Sequence, residues 1–373
     1  MSSFAVLGLG TALPAHSISQ GGAATFATTC VVPTECDSAN VPALIQALYR
    51  RAGVQRRHSV LLESSSDGEA TAERFYQFAK SPEDRGPSTS ARMQRYEAEV
   101  GQLAVVASRG AISESGIHPN EITHLVTVSC SGFSAPGADL MLIHQLGLSQ
   151  SVSRTHIGFM GCHGALNGLR VARAFAASDP RAVVLVCAME LCSLHHQYGW
   201  DPQRIVSNSL FADGAAAVIG RSSSATPKLA AAVHGAVVDN SSYVIPETAQ
   251  MMTWRIGDHG FEMTLSAEVP GIITRHLPGV LNQFLKRNGL TIPEVQSWAI
   301  HPGGPRILAA TMEAAGLTQD QIDPSISILQ KCGNMSSPTV LFILDELRNR
   351  SAQRPCVTLG FGPGLNVELA LIR

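Results

Sequence analysis

The sequence is short of charge, of paired cysteines and of long apolar runs, and each shortage closes off a class of function. Charged residues make up only 15% of the 373 positions and leave a formal net charge of -2, with no run of Lys or Arg. A nucleic-acid footprint needs clustered cations, so nucleic acid is not an expected partner. The eight cysteines, Cys30, Cys36, Cys130, Cys162, Cys187, Cys192, Cys332 and Cys356, include no Cys-x-x-Cys pair. Such scattering fits neither a zinc ribbon nor a disulfide framework, and points to buried or reactive thiols in a reducing compartment. The adjacent His195-His196 pair lacks spaced Cys or carboxylate partners, so no metal is expected. No apolar stretch approaches the roughly 18–20 residues of a membrane span, and no membrane partner is expected. The first ten residues lack the basic start of a signal peptide and read as a first buried strand. A cytoplasmic protein is expected.

What is present is apolar. Hydrophobic residues reach 45%, over a length that buries one large core or two fused half-cores. Short β-branched runs at residues 4–9, 125–129, 182–187, 215–219, 297–300 and 356–359 read as buried strands. Residues 96–113, 165–177 and 340–347 carry helical apolar spacing between them. The alternation predicts an α/β fold with sheets buried on both faces. Residues 64–68 and 81–90 read as surface loops, and residues 222–227 as a linker. The linker divides the chain into residues 1–222 and 223–373, each with strand–helix units of its own, although no short-period repeat exists.

The most informative segment is Gly161-Cys162-His163-Gly164-Ala165. An apolar strand is predicted to end at Gly161, and the pattern from Leu166 to Ala177 predicts a helix. Cys162 then stands at a helix N-terminus, where unpaired N–H groups favour a thiolate and draw its pKa down. A thiolate that handles acyl groups needs donors for the carbonyl oxygen. His301-Pro302-Gly303-Gly304-Pro305 and Gly333-Asn334-Met335-Ser336-Ser337 put a histidine and an asparagine at element ends. A buried apolar thiol, a structural histidine and an ordinary helix cap remain open readings of these residues.

Taken together with the terminal Gly360-Phe361-Gly362-Pro363-Gly364, these motifs resemble, in order, the Cys-His-Asn triad and signature loop of the type III polyketide synthases. These are the chalcone synthase-like branch of the thiolase superfamily. The resemblance runs from about residue 4 to 372 and includes Cys130-Ser131-Gly132-Phe133, Glu190-Leu191-Cys192 and Leu210-Phe211-Ala212-Asp213. It implies an αβαβα thiolase-like fold of two related halves and a homodimer. It also implies an enzyme with no cofactor, joining malonyl-CoA units onto an acyl-CoA starter held on Cys162. His301 and Asn334 would be its hydrogen-bond donors.

By the same resemblance, Phe211 is the aromatic gatekeeper, and Met263 stands where the second gatekeeper is usually Phe. Trp254, His195, Cys130, Cys192, Ala135 and Ser336 fall at cavity-wall positions, with Trp254 where plant members carry a small residue. Arg50, Arg51, Arg56, Arg57 and Arg306 are candidates for the CoA phosphates, with Arg51 and Arg306 aligning best. A fatty acyl starter with a pyrone or resorcinol product is the expected outcome. The rivals are a ketoacyl synthase III-type enzyme that condenses once, and a non-catalytic acyl-CoA-binding protein on the same fold.

Overall fold

The computed structural model describes residues 3–34, 40–63, 74–225 and 234–373. The strands, in chain order, are β1 (Phe4–Ala12), β2 (Ser17–Ser19), β3 (Arg56–His58), β4 (His124–Ser129), β5 (Ser153–Gly158), β6 (Val183–Leu191) and β7 (Asp213–Ser222). They continue with β8 (Ala236–Val244), β9 (Met252–Gly257), β10 (Gly260–Leu265), β11 (Ser297–Ile300), β12 (Cys356–Gly362) and β13 (Asn366–Ile372). The helices are α1 (Gln20–Thr29), α2 (Val41–Arg51), α3 (Thr89–Ser115), α4 (Ala138–Leu146), α5 (Gly164–Ser178) and α6 (Pro202–Leu210). In the second half they are α7 (Val269–Arg287), α8 (Pro305–Ala315), α9 (Gln319–Cys332) and α10 (Thr339–Asn349).

Side-chain alternation in the apolar strands sets the layers. In β6, Val184, Val186 and Ala188 point into a central core, while Val183, Leu185 and Cys187 point into an outer one. In β13, Ala370 and Ile372 join the same central core, and Leu369 and Leu371 face a second outer core. Helices α5 and α10 fill the centre through Leu166, Leu169, Val340 and Leu341. Helices α3 and α4 cover the first outer face, and α7 and α8 the second. The result is the α–β–α–β–α layering implied above, with period-2 strands buried on both sides.

Nine strands run in the order β11-β12-β13-β8-β1-β7-β6-β4-β5. From β1 through β7 and β6 to β4 the pairings are antiparallel, antiparallel and parallel. From β8 through β13 and β12 to β11 the same series repeats. The two series join where β1 pairs with β8, at Phe4↔Val237 and Ala5↔Ala236. Duplication is therefore visible in the topology, where the sequence shows no repeat.

Three expectations need correction. The strand before Cys162 ends at Gly158, and its side chains are exposed or half-buried. It is the edge strand, and among the described residues it pairs only with β4. Helix α3 starts at Thr89, inside the expected 81–90 loop, because the Ser88 side chain caps it by accepting from the Ala91 N–H. Ser222 is not linker but the buried last residue of β7, paired with Phe4. The expected loop at 64–68, like Cys36, lies outside the described residues.

Candidate active site

Cys162 sits in one 3₁₀ turn, Gly161–His163, between β5 and α5. Gly161 takes φ +68°, and a Cβ there would lie 2.4 Å from Pro363 Cδ, so a side chain would push the turn off the β12–β13 hairpin. The thiol thus stands before the first turn of the central helix α5. Asn334 stands just before α10, the other helix of that layer. Its N–H donates to Leu210 O and its carbonyl accepts from Ala212 N–H, each at 2.9 Å, which places Phe211 beside it. The Ser336 N–H donates to Asn334 Oδ1 at 2.8 Å, leaving the amide NH₂ free to donate to the Cys162 thiol.

His301 follows β11 and is 1% exposed, with no partner for either ring nitrogen among the described residues. It lies next to the nucleophile's turn, since a Cβ on Gly360 would touch both His301 Cβ and His163 Cβ. The N-termini of α5 and α10 therefore meet at the Cys162 thiol, and the end of β11 lies beside its turn.

Enclosure governs the charges. Loss of water pushes the Cys162 thiol up to about 11, although hydrogen bonds from Ser336 and Asn334 pull the other way. The expected depression of this pKa is thus reversed, because desolvation outweighs the helix N-terminus. Burial pulls His301 down to about 3, with the neighbouring His163 adding to it. The resting pair is neutral. A proton moving from Sγ to His301 would leave the net charge of the buried site unchanged.

Glu190 organises the walls. Its carboxylate accepts from Cys130 N–H at 2.9 Å, Ser131 N–H at 2.9 Å, Ser131 Oγ at 2.6 Å and Ser337 Oγ at 2.5 Å. It ties β4 to the Asn334 loop while burial raises its own pKa. Cys130 Sγ lies 3.2 Å from Ser336 Oγ. Burial and the nearby Glu190 push both Cys130 and Cys192 well above the ordinary thiol range.

Two cavities meet here. One of about 30 Å³ touches Cys162, Cys130 and Ser336. The other, of about 590 Å³, extends between α1, α6 and β10. Cys192, Phe211, Trp254 and Met263 border both. Trp254 forms the partition, with its Nε1–H donating to Cys130 O at 2.7 Å and its ring standing edge-on to His195 at 5.3 Å. His195 is stacked on Phe261 at 4.2 Å. It donates from Nε2 to Ser131 O at 2.6 Å, and its Nδ1 accepts from Phe261 N–H at 2.9 Å. Burial draws its pKa to about 3, so it is a neutral wall.

Comparison with known proteins now has a site to attach to. The family profile for chalcone and stilbene synthases matches at both ends, the N-terminal domain over residues 2–223 and the C-terminal domain over residues 236–373. The chain belongs to that family. It is a type III polyketide synthase, an acyltransferase. It is 31% identical to 1,3,6,8-tetrahydroxynaphthalene synthase of Streptomyces peucetius subsp. caesius, covering 97% of this chain and 91% of that one. It is 33% identical to the α-pyrone synthesis polyketide synthase-like Pks18 of Mycobacterium tuberculosis, over 74% of this chain and 71% of that one. The crystal structure of PKS-I from the brown alga Ectocarpus siliculosus superposes with a TM-score of 0.88 at 27% identity, covering 100% of this chain and 98% of that one.

In this type III polyketide synthase not every residue named from sequence reaches the site. Ala135 is exposed and borders neither cavity. The chain is anchored at Ser131 by Glu190 and His195, and residues 133–136 run outward beyond that anchor. Arg50, Arg51, Arg56 and Arg306 are exposed and border neither cavity. The turn after Arg51 packs on the start of α8, where a Gly53 Cβ would lie 2.8 Å from Pro305 Cγ, so Arg51 and Arg306 share a rim. Arg57 borders the larger cavity but is buried, and its guanidinium donates to Asn208 O and Phe211 O at the end of α6. Phe261 lies behind His195, whereas Met263 faces Trp254 across the β9–β10 ladder. Sequence reasoning missed Glu190 and His163. A lone carboxylate near the end of the apolar run Val183–Leu191 was the available signal for Glu190. None of the described helices is long and apolar enough to cross a membrane.

Proposed function

We propose that this type III polyketide synthase loads a fatty acyl starter from acyl-CoA onto Cys162, extends it with malonyl-CoA, and closes it to a pyrone or resorcinol. His301 carries the reading. A buried polar group without a partner costs about 1–3 kcal/mol, and an imidazole held that way beside a thiol can take its proton. Cys162 supports the same reading, being half-buried where the other six described cysteines are buried.

The Sγ proton passes to His301 and the thiolate adds to the starter's carbonyl. The bond to CoA sulfur breaks, and the departing CoA thiolate takes the proton back. Malonyl-CoA loses carbon dioxide, and the electron pair of the broken C–C bond forms an enolate whose oxygen is met by His301 and the Asn334 amide. The enolate carbon attacks the Cys162 thioester. The C–S bond breaks, Cys162 leaves as thiolate, and the chain is two carbons longer on CoA. That thiolate attacks the lengthened thioester, the bond to CoA sulfur breaks, and CoA leaves as a thiolate that takes a proton from solvent, so the chain is back on Cys162 for the next round.

The 590 Å³ chamber supports a long apolar starter, since ligand pockets span about 300–1,000 Å³, and the α-pyrone relative supports the ring type. Arg51 and Arg306 would meet the CoA phosphates. Two copies would join along the exposed edge β5, beside which Phe133 and Phe159 are 53% and 37% exposed, with ring centroids 6.0 Å apart. The seven described cysteines are free thiols, which suits a cytoplasmic setting. The test is incubation with malonyl-CoA and a ladder of acyl-CoA starters, read by mass. Products growing by ketide units from long starters, and lost in Cys162→Ala, are expected. Products built wholly of malonyl units would remove the fatty starter. One condensation with malonyl carrier protein alone would favour a ketoacyl synthase III-type reaction.

A further inference from the structure

His163 directly follows the nucleophile, and it is 1% exposed. Its ring occupies a gap left by two glycines. A Cβ on Gly362 would fall 2.3 Å from His163 Cδ2, and one on Gly360 would lie 3.3 Å from His163 Cβ and 3.4 Å from His301 Cβ. The two histidine Cβ atoms are therefore within about 7 Å of each other.

Both ring nitrogens of His163 are engaged. Nε2 faces Asn366 Nδ2 at 3.2 Å, and Nδ1 faces Asn167 Oδ1 at 2.9 Å. The Asn366 NH₂ also reaches Glu368 Oε1 at 3.3 Å, and Arg170 meets that buried carboxylate at 3.2 Å. Charge fixes each link in turn. Arg170 donates to both Glu368 oxygens, which accept, so Asn366 turns its NH₂ inward. That NH₂ donates to Nε2, which leaves the single proton of a neutral His163 on Nδ1, donated to Asn167.

We propose that His163 is a positioning residue: through Asn366 it pins the Cys162 turn of the first half to β13 of the second, and the relay to Arg170 keeps its Nε2 an acceptor. This rests on the Cys162–His301 pairing proposed above. Protonated His163 would set an N–H against the Asn366 NH₂ and a second cation beside His301.

The groups facing His163 are Arg170 on α5, Glu368 on β13, His301 after β11, and Cys162 itself. Burial holds its pKa below the ordinary value; Glu368 opposes this and Arg170 adds to it. The ring therefore charges, and turnover falls, only as pH drops through that lowered value. Removing the Arg170 charge takes away a lowering influence, so the acid limb should move to higher pH.

The experiment measures turnover of malonyl-CoA with one acyl-CoA starter over roughly pH 5–8 for wild type, His163→Phe, Arg170→Gln and the double variant. His163→Phe is expected to lose about tenfold or more in kcat with KM for malonyl-CoA held within about twofold. Arg170→Gln should raise the acid limb by about half a pH unit, and the double variant should show no such rise over His163→Phe. Wild-type kcat and acid limb in His163→Phe would overturn the inference, as would an equal rise in the double variant. If His163→Phe does not fold, Arg170→Gln decides, and an unmoved acid limb overturns it. Product formation by Cys162→Ala would sink the underlying pairing. A dead Cys162→Ala beside a wild-type-like His163→Phe would sink only the role of His163.

Discussion

Replacing His301 with Gln would remove the base proposed above and leave the thiol to ionise without it. Enclosure sets the Cys162 pKa at about 11, so roughly one thiol in 10⁴ is ionised at pH 7. Alkylation of Cys162 by iodoacetamide, followed by mass on its peptide, should therefore climb about tenfold per pH unit between roughly pH 7 and 10 in the wild type. In His301→Gln the proton has lost its acceptor inside the site, so the midpoint should lie above that of the wild type. Asn334→Ala removes a hydrogen bond that favours the thiolate, so its midpoint should rise above that of the wild type. Cys130 and Cys192 serve as internal references, since burial and Glu190 push them well above the ordinary range and they should react later. Superimposable profiles for wild type and His301→Gln would refute the base assignment.

Other perturbations probe the walls and the frame. Trp254→Ala should join the 30 Å³ and 590 Å³ cavities and shift starter preference toward longer acyl chains, while Ser207→Trp should fill the larger one and shorten them; unchanged product masses in both would refute the partition. Because Trp254 is only half-buried, its loss should destabilise by less than the roughly 3–5 kcal/mol of a core tryptophan, as read by urea unfolding. Burial raises Asp213 to about 6 despite hydrogen bonds from Ser193 and Val60. Its proton is then held more tightly in the folded state, so its contribution is full below about pH 4 and falls by about 3 kcal/mol as pH rises through 6. Asp213→Asn should flatten that part of the stability curve, and an unchanged slope would count against the assignment. Gly10→Ala would put a Cβ 2.2 Å from Ala107 O, backbone against backbone, and should cost at least the upper end of the roughly 1–3 kcal/mol of overpacking. A variant with the wild-type Tm would contradict that contact.

Strand periodicity was readable in most strands covered on both faces, although β13, buried along its whole length, was not read. Residues 297–300 form β11 as read, and the runs at 4–9 and 356–359 fall inside longer strands, Phe4–Ala12 and Cys356–Gly362. The extra residues are less apolar and are held in the ladder by their neighbours, a tertiary effect. β5 misled because a strand's place in a sheet is not encoded in its own residues. The motifs around Cys162, His301 and Asn334 marked element ends correctly as turns, but the pKa of Cys162 was misjudged. The helix N-terminus can be read locally, whereas the desolvation that outweighs it comes from the whole enclosure. Ala135 shows the same limit in reverse, since a wall position by motif points away from its own chain's cavities once Ser131 is anchored.

By itself, then, the amino-acid sequence determined the layered α/β class, the order of the motifs and the chemistry of the side chains they carry, because periodicity, turn residues and functional groups are local properties. Only the tertiary structure decided which of those groups meet. It brought His301 beside the Cys162 turn across Gly360, closed Trp254 over a 30 Å³ pocket, and threaded His163 to Arg170 through Asn366 and Glu368. Each of these depends on residues up to 203 positions apart lying at hydrogen-bond distance, and such contacts are set by how two duplicated half-folds pack rather than by neighbouring residues.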